Sequence, residues 1–278
     1  MYNLTVRGHD VSGQITPAEL ATQINAYGIK NVQLALNKSF PDLPSKKDDL
    51  SPGIGTFIKN EFAQAGVQIA ILSCYINMIH PDEKIRERLL QQFEAYVAHA
   101  KYFGASMVAS ETGSVSVDFN YTEENFTPEV FEQTVSSVKR IVKCGEKNNM
   151  LIGIEPGLNH PIYSIEKTKA LLDQIDSPYL GIVLDMTNLI TAHNYTEQVS
   201  LLQRAFDSFG QQIVAIHLKD FIVVNEKIKP VPLGEGLMDV AGLLAVIKDH
   251  KPLIYVVLEQ TTDEYIPKAK ILIEGLIE

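Results

Sequence analysis

Short apolar runs alternate with longer amphipathic stretches along the whole chain. Most of the runs are rich in β-branched residues and lack strict polar alternation, which is typical of strands buried on both faces of a parallel sheet. Eight runs fit this description: NLTVR, NVQLA, VQIAILS, SMVAS, LIGI, LGIVL, IVAIH and LIYVVL. The pattern predicts eight strands at a spacing of roughly 35 residues, with helices between them.

Capping residues, prolines and glycines mark the predicted helix ends. Thr16-Pro17 and Thr127-Pro128 each place a capping side chain before a proline at the first helical position. A long helix is predicted from the segment that begins at His80 to about Phe103, with Gly104 as its stop. Ile266 to Ile277 is predicted to form the last helix.

Eight parallel strands joined by helices favour a closed barrel over an open, doubly wound sheet. An open sheet normally has a glycine-rich phosphate turn after its first strand, whereas this chain reads Arg7-Gly8-His9-Asp10 there. Gly53-Ile54-Gly55 and Gly234-Glu235-Gly236 lack the third glycine of such a turn and predict ordinary turns. The composition shows no break, so we expect an α/β fold, a (β/α)8 barrel, with residues 1–278 as a single domain.

Composition narrows the classes of partner. The chain has 278 residues, is 45% hydrophobic and carries a formal net charge of −10 without a Lys/Arg-rich run, which argues against nucleic acid and anionic membranes as partners. Cys74 and Cys144 fit no disulfide framework. The sequence shows neither a secretion signal nor an apolar run of about 18 residues. We therefore expect a soluble, cytoplasmic protein.

Four consecutive predicted strands each end in a side chain that can bind a metal. The segments are IGIEPG, GIVLDMTN, VAIHLKD and VVLEQT, and the residues are Glu155, Asp185, His217 and Glu259. Barrels of this kind carry their active sites at the carboxyl ends of the strands, so these side chains should converge. A divalent cation would relieve the repulsion among three carboxylates, and the ligand set suits Mn²⁺ or Mg²⁺, with Co²⁺ or Zn²⁺ as alternatives. Taken singly, each residue is more often a salt-bridge partner or a cap.

This ordered quartet resembles the sugar phosphate isomerase/epimerase superfamily, the xylose isomerase-like TIM barrels, over essentially the full chain. The superfamily includes ketose 3-epimerases, hydroxypyruvate isomerase, inosose isomerases and dehydratases, and apurinic-site endonucleases. The resemblance implies that Glu155, Asp185, His217 and Glu259 hold one divalent metal and that Glu155 and Glu259 are the catalytic acid/base pair. It further implies a metal-dependent isomerase or epimerase of carbohydrate metabolism that acts on a small sugar or sugar phosphate.

The chemistry of such a site is proton abstraction next to a carbonyl. A metal polarises the carbonyl and stabilises the enediolate, while a carboxylate takes the proton. Glu155 and Glu259 stand on strands three apart, so they should approach the substrate from different sides, as epimerisation needs. An inosose-type dehydratase starts from the same abstraction and is the runner-up. A non-catalytic barrel that binds sugar or metal is the alternative from another class.

Five further residues at the predicted barrel mouth are candidates for substrate binding. Asn188 stands where several epimerases of the superfamily carry a second histidine, and its amide can still bind a hydroxyl. Lys219 could reach a substrate hydroxyl, carboxylate or phosphate, with Asp220 orienting Lys219 or the neighbouring histidine from behind. The set is completed by Glu111, His9 and Arg7. Structural roles are the alternative for each of them.

Several points stay open at the level of sequence. The endonuclease branch needs more histidines and a basic face for DNA, and the sequence has neither. Lys38 or Lys219 could bind a phosphate group, although no anion-binding loop is recognisable. The segments 37–53 and 221–236, which would choose among sugars, are irregular. A homo-oligomer formed through exposed helices is a further option.

Overall fold

Eight parallel strands form a closed barrel in a computed structural model that describes residues 2–13 and 16–276. The barrel strands are β1 (Asn3–Arg7), β2 (Asn31–Leu34), β3 (Gln68–Ser73), β4 (Met107–Glu111), β5 (Leu151–Glu155), β6 (Leu180–Asp185), β7 (Ile213–Leu218) and β10 (Tyr255–Leu258). Strand order follows the chain, and β1 closes the barrel by pairing with β10. The predicted α/β class and (β/α)8 barrel are confirmed.

Helices cover the outside of the barrel. They are α1 (Pro17–Ala26), α2 (Leu36–Ser39), α3 (Pro52–Gln64), α4 (Glu83–Phe103), α5 (Pro128–Asn148), α6 (Ile165–Ile175), α7 (Gln198–Phe209), α8 (Val240–His250) and α9 (Tyr265–Gly275). Thr16 and Thr127 cap α1 and α5 as predicted, since each side chain accepts a backbone N–H of the first turn. Gly104 ends α4 with a φ of 73°, a conformation that glycine adopts without strain.

The end of the chain lies partly outside the described residues. The last predicted helix is observed as α9, and its predicted end at Ile277 falls outside the described ranges. None of the helices within those ranges is long and apolar enough to cross a membrane.

Small side chains fill the barrel below its mouth. One buried cluster contains residues that each precede a mouth residue by two positions: Ala109, Val183, Ala215 and Val257. Side chains two positions apart on a strand face the same side, so the mouth residues stand on this layer. Gly153 has the same place below Glu155. A side chain does not fit there, since a Cβ would lie 2.9 Å from Val183 Cγ2 and 3.1 Å from Ala109 Cβ.

An antiparallel hairpin follows β7, in a segment that was predicted to be irregular. Its strands are β8 (Asp220–Val224) and β9 (Lys227–Val231), which pair antiparallel. Asn225 and Glu226 at the tip have φ values of 50° and 58°. Two positive φ angles at the centre of a two-residue turn match the twist of a hairpin, although glycine usually occupies the second position. The absence of that glycine explains why the turn was not predicted.

Candidate metal centre

Glu155, Asp185, His217 and Glu259 converge at the carboxyl ends of β5, β6, β7 and β10. One potential ligand atom from each residue lies within 4.8 Å of the others. All four residues are buried, with Asp185 and His217 fully inaccessible. The convergence follows from the topology, because these four strands are neighbours in the barrel. The structure thus brings together the four residues that the strand-end pattern singled out.

The facing atoms of the quartet fit a cation. His217 Nδ1 lies 2.5 Å from Glu259 Oε2 and 3.3 Å from Glu155 Oε1. Within the described residues, His217 Nδ1 and Glu259 Oε2 are nevertheless buried without a hydrogen bond of acceptable geometry. Two acceptor atoms this close repel each other unless a proton or a metal ion lies between them. Burial alone would lower the pKa of His217, but Glu155 and Glu259 outweigh burial and raise that pKa to about 10.

Gln33 selects which nitrogen of His217 faces the quartet. The Gln33 side-chain nitrogen donates to Ser73 Oγ and Tyr75 Oη at 3.0 and 3.2 Å. Its carbonyl oxygen is left to accept from His217 Nε2 at 2.8 Å. His217 therefore carries its proton on Nε2 when neutral and directs the lone pair of Nδ1 toward the quartet. Gln33 was not predicted as a site residue, because its signal in the sequence is a single polar residue inside the apolar run NVQLA.

Two cations lie against the carboxylates of the quartet. Lys219 Nζ is 2.8 Å from Asp185 Oδ2 and 2.9 Å from Glu259 Oε1, and Lys219 is only 4% exposed. Arg7 Nη1 lies 3.0 Å from the same Glu259 oxygen. Burial opposes the charge of Lys219, but Asp185 and Glu259 outweigh it and raise the pKa of Lys219. Lys219 is thus held among the carboxylates, and its contact with a substrate stays a prediction.

The charges around the quartet leave room for a divalent cation. The Nε and Nη2 atoms of Arg7 donate to the Asp10 carboxylate at 2.8 and 2.9 Å. Burial raises the pKa of Asp185. Burial also opposes ionisation of Glu259, but His217, Lys219 and Arg7 hold the pKa of Glu259 well below its ordinary value. Four carboxylates face two cations in this cluster, so two negative charges stay unbalanced when His217 is neutral. A divalent ion supplies that charge.

Asn188 and Asp220 have supporting positions. Asn188 Nδ2 donates to Glu155 Oε1 at 2.9 Å, so this amide positions a predicted acid/base residue. The expectation that Asp220 orients Lys219 or His217 is wrong. The Asp220 carboxylate instead accepts four backbone N–H groups at the base of the hairpin, those of Phe221, Gly234, Gly236 and Met238.

A cavity of about 530 Å³ opens beside Glu155 and Glu259. Arg7 and Glu111, two of the predicted substrate contacts, line it. His9 packs edge-on against the cavity residue Tyr75, with their ring centroids 6.2 Å apart. A concave site of this size suits a small ligand such as a sugar.

The sequence matches the model of a known protein family over nearly the whole barrel. The model of the xylose isomerase-like TIM barrel family matches residues 21–276. The chain belongs to this family. The resemblance drawn from the four strand ends is confirmed at the level of the family.

Individual relatives of this xylose isomerase-like barrel are distant. The 3-oxo-isoapionate decarboxylase of Pectobacterium atrosepticum is 26% identical over 157 residues, which cover 52% of this chain and 53% of that protein. The chain therefore spans about half the length of the curated relative that it matches.

Solved structures share the whole fold at low sequence identity. A D-tagatose 3-epimerase-like protein is 16% identical with a TM-score of 0.78, over 99% of this chain and 97% of its own. A probable 3-DHS dehydratase from Bacillus anthracis is 15% identical with a TM-score of 0.74, over 100% and 99%. The IOLI protein, solved with a zinc atom, is 15% identical with a TM-score of 0.74, over 99% and 96%. At these identities the likeness shows the fold alone.

Proposed function

We propose that this protein is a metal-dependent isomerase or epimerase that moves a proton next to the carbonyl group of a small sugar or sugar phosphate. One observation carries the proposal: three buried carboxylates and one histidine converge beside a sugar-sized cavity. Membership of the xylose isomerase-like family supports an enzyme of this kind. The curated relative is named a decarboxylase. Two proteins of similar fold are named an epimerase-like protein and a probable dehydratase.

Glu155, Asp185, His217 and Glu259 would hold one divalent metal ion, with Mn²⁺ or Mg²⁺ favoured by the ligand set and Co²⁺ or Zn²⁺ as alternatives. When bound, the ion supplies polarisation of the substrate carbonyl and stabilisation of the negative charge of the enediolate. Asn188 orients Glu155 through its 2.9 Å hydrogen bond. Arg7 and Lys219 hold Glu259 at a fixed position and favour its ionised form, which is the form that can take a proton.

Glu155 and Glu259 are the residues that move protons in this proposal. Both line the cavity, and they enter it from β5 and β10, which are three strands apart around the barrel. One of the two side chains, as a carboxylate, takes the proton from the carbon next to the carbonyl, and the other, as a carboxylic acid, gives a proton to the opposite face of that carbon. This two-sided transfer inverts the carbon, as in an epimerase, whereas an aldose–ketose isomerase needs only one of the two carboxylates.

Exchange of carbon-bound hydrogen with solvent deuterium tests the proposal. The Mn²⁺-loaded protein in D₂O, offered D-fructose, D-tagatose, D-psicose and their phosphate esters, should incorporate deuterium next to the carbonyl of at least one sugar, as read by proton NMR. Glu155→Gln and Glu259→Gln should each slow exchange by about a hundredfold or more. Glu61→Gln, on the outer helix α3, is the matched control and should exchange at the wild-type rate. No exchange by metal-loaded wild-type protein across the panel would favour the non-catalytic barrel.

Two other outcomes share the same first intermediate. A dehydratase would release water after proton abstraction. A decarboxylase, the activity named for the partial relative, would form an enediolate by losing carbon dioxide, in place of a proton, from a β-keto acid that carries a hydroxyl on its α-carbon. Mass spectrometry of products from keto acids and inososes, run beside the exchange assay, separates these outcomes from isomerisation.

A further inference from the structure

The cavity beside the quartet has walls of opposite charge. The quartet occupies one half of the barrel mouth, at β5, β6, β7 and β10. Glu111 adds another carboxylate next to it, because Glu111 on β4 is the register partner of Glu155 on β5. On the opposite half, Lys38 follows β2 and His80 follows β3, and both side chains line the cavity.

Lys38 is available to bind a ligand. Its ammonium lies over the ring of Tyr75, 4.3 Å from the centroid, and this cation–π contact holds it at the cavity wall. Among residues 2–13 and 16–276, no carboxylate lies within ion-pair distance of Lys38. Arg7, the other strong cation of the cavity, is already engaged by Asp10 and Glu259.

Two histidines offer further polar groups near Lys38: His80 lines the same cavity, and His9 packs against the cavity residue Tyr75. His80 Nδ1 accepts the backbone N–H of Asp82 at 3.1 Å, so neutral His80 carries its proton on Nε2 and can donate. His9 Nδ1 is buried and has no hydrogen-bond partner within the described residues. A buried polar atom of this kind normally meets a partner, which a ligand or its water shell can supply. Burial, together with Arg7 and Lys38, lowers the pKa of His9 to about 4, so this ring is neutral near pH 7.

We infer that the substrate carries an anionic group, a carboxylate or a phosphate, that Lys38 binds on the cavity wall opposite the quartet. The inference rests on the proposed function, because the quartet fixes where the reacting carbonyl lies. When Lys38 binds the anionic group, that negative charge is kept away from the carboxylates of the quartet, which would repel it. The carbonyl end of the substrate then faces Glu155 and Glu259. The protein has a negative net charge, which repels an anionic substrate. The local positive charge of Lys38 therefore orients such a substrate in the cavity.

Three ketoses with one carbon skeleton test the inference. D-fructose, D-fructuronate and D-fructose 6-phosphate differ only at C6, which is a CH₂OH group, a carboxylate carbon or a phosphorylated CH₂OH group. Calorimetric titration into Mn²⁺-loaded wild type should show roughly tenfold or more tighter binding of at least one anionic member than of D-fructose. The tighter of the two anions identifies carboxylate or phosphate as the natural group.

Lys38→Met should reduce this preference to about twofold or less while the affinity for D-fructose stays unchanged. Lys143→Met is the matched control, since Lys143 is exposed on α5 and lies outside this cavity, and it should keep the full preference. The inference is overturned if metal-loaded wild type binds neither anion more tightly than D-fructose, including the case in which none binds. It is also overturned if Lys38→Met retains the preference.

These titrations read binding and not turnover, so they fail separately from the proposed function. An anion preference that depends on Lys38, in a protein that exchanges no carbon-bound hydrogen, would keep this inference and defeat the proposed function. Hydrogen exchange in a neutral ketose, with no anion preference, would do the reverse.

Discussion

Gln33 is the residue that gives His217 a defined role. Its amide is oriented by two donations, to Ser73 and Tyr75, and only its carbonyl oxygen faces His217. Histidine can place its neutral proton on either nitrogen, and a partner of this kind decides which nitrogen is free to bind a metal.

Replacing Gln33 by leucine should weaken metal binding. The substitution removes the acceptor and leaves His217 Nε2–H buried without a partner, so the dissociation constant for Mn²⁺ should rise by about ten- to a hundredfold. Isothermal titration calorimetry measures it. Gln33→Glu keeps an acceptor at the same reach and should lose less affinity. Equal affinities in wild type and Gln33→Leu would show that Gln33 does not hold the tautomer.

His9 should make stability depend on pH. Burial, followed by the charge of Arg7, lowers its pKa from 6.5 to about 4. Below pH 6.5 the unfolded chain therefore binds more protons at His9 than the folded protein does. The stability that neutral His9 contributes is complete above pH 6.5 and is lost as pH falls through about 4.

Urea denaturation of wild type and His9→Asn at several pH values isolates this effect from the other titrating groups. The free energy of unfolding of wild type, relative to that of the variant, should fall as the pH is lowered from 6.5 toward 4. A difference that is constant over this window would mean that His9 titrates normally in the folded protein.

Among the elements, the hairpin β8–β9 depends on one carboxylate. Asp220 accepts backbone N–H groups from both sides of the hairpin base, at 2.7 to 3.0 Å. Gly236 is needed at this base, since a Cβ there would lie 2.3 Å from Phe221 O and 2.4 Å from Asp220 Oδ1. Lys219 directly precedes Asp220 in the chain, but its ammonium is held by its own ion pairs with Asp185 and Glu259.

Asp220→Asn should loosen the hairpin. It turns one acceptor oxygen into an NH₂ group that faces backbone donors, which should cost about 2–4 kcal/mol in the free energy of unfolding. Hydrogen–deuterium exchange at the amides of Gly234 and Gly236 should become faster. Asp207→Asn is the control and should leave both quantities unchanged, because Asp207 is exposed and its side chain accepts from Gln203. Unchanged exchange in Asp220→Asn would show that the hairpin is held by other contacts.

For the whole molecule, strand periodicity was enough to predict the barrel and the four converging residues. Eight buried runs define the order of strands, and a ligand-type residue at each strand end needs only barrel closure to meet the others. Gln33 carried no periodic signal, and Asn225-Glu226 lacks the glycine of a typical hairpin turn. The direction of a long side chain such as Lys219 depends on charges that only the fold brings together.

Other predictions for the whole molecule are untested by the fold. They are a single domain over residues 1–278, a cytoplasmic location, the exclusion of nucleic acid and membrane as partners, and a homo-oligomer. They stay predictions.

Metal content of the purified protein is the most direct test of the metal centre. Elemental mass spectrometry of wild type, Asp185→Ala and Glu259→Ala after loading with Mn²⁺ and desalting should find about one metal ion per wild-type chain. Both variants should hold far less, because each loses a ligand from a buried quartet. Glu61→Gln should load like wild type. Wild-type protein that retains no metal after loading would contradict the proposal and would mean that these four residues serve the stability of the barrel.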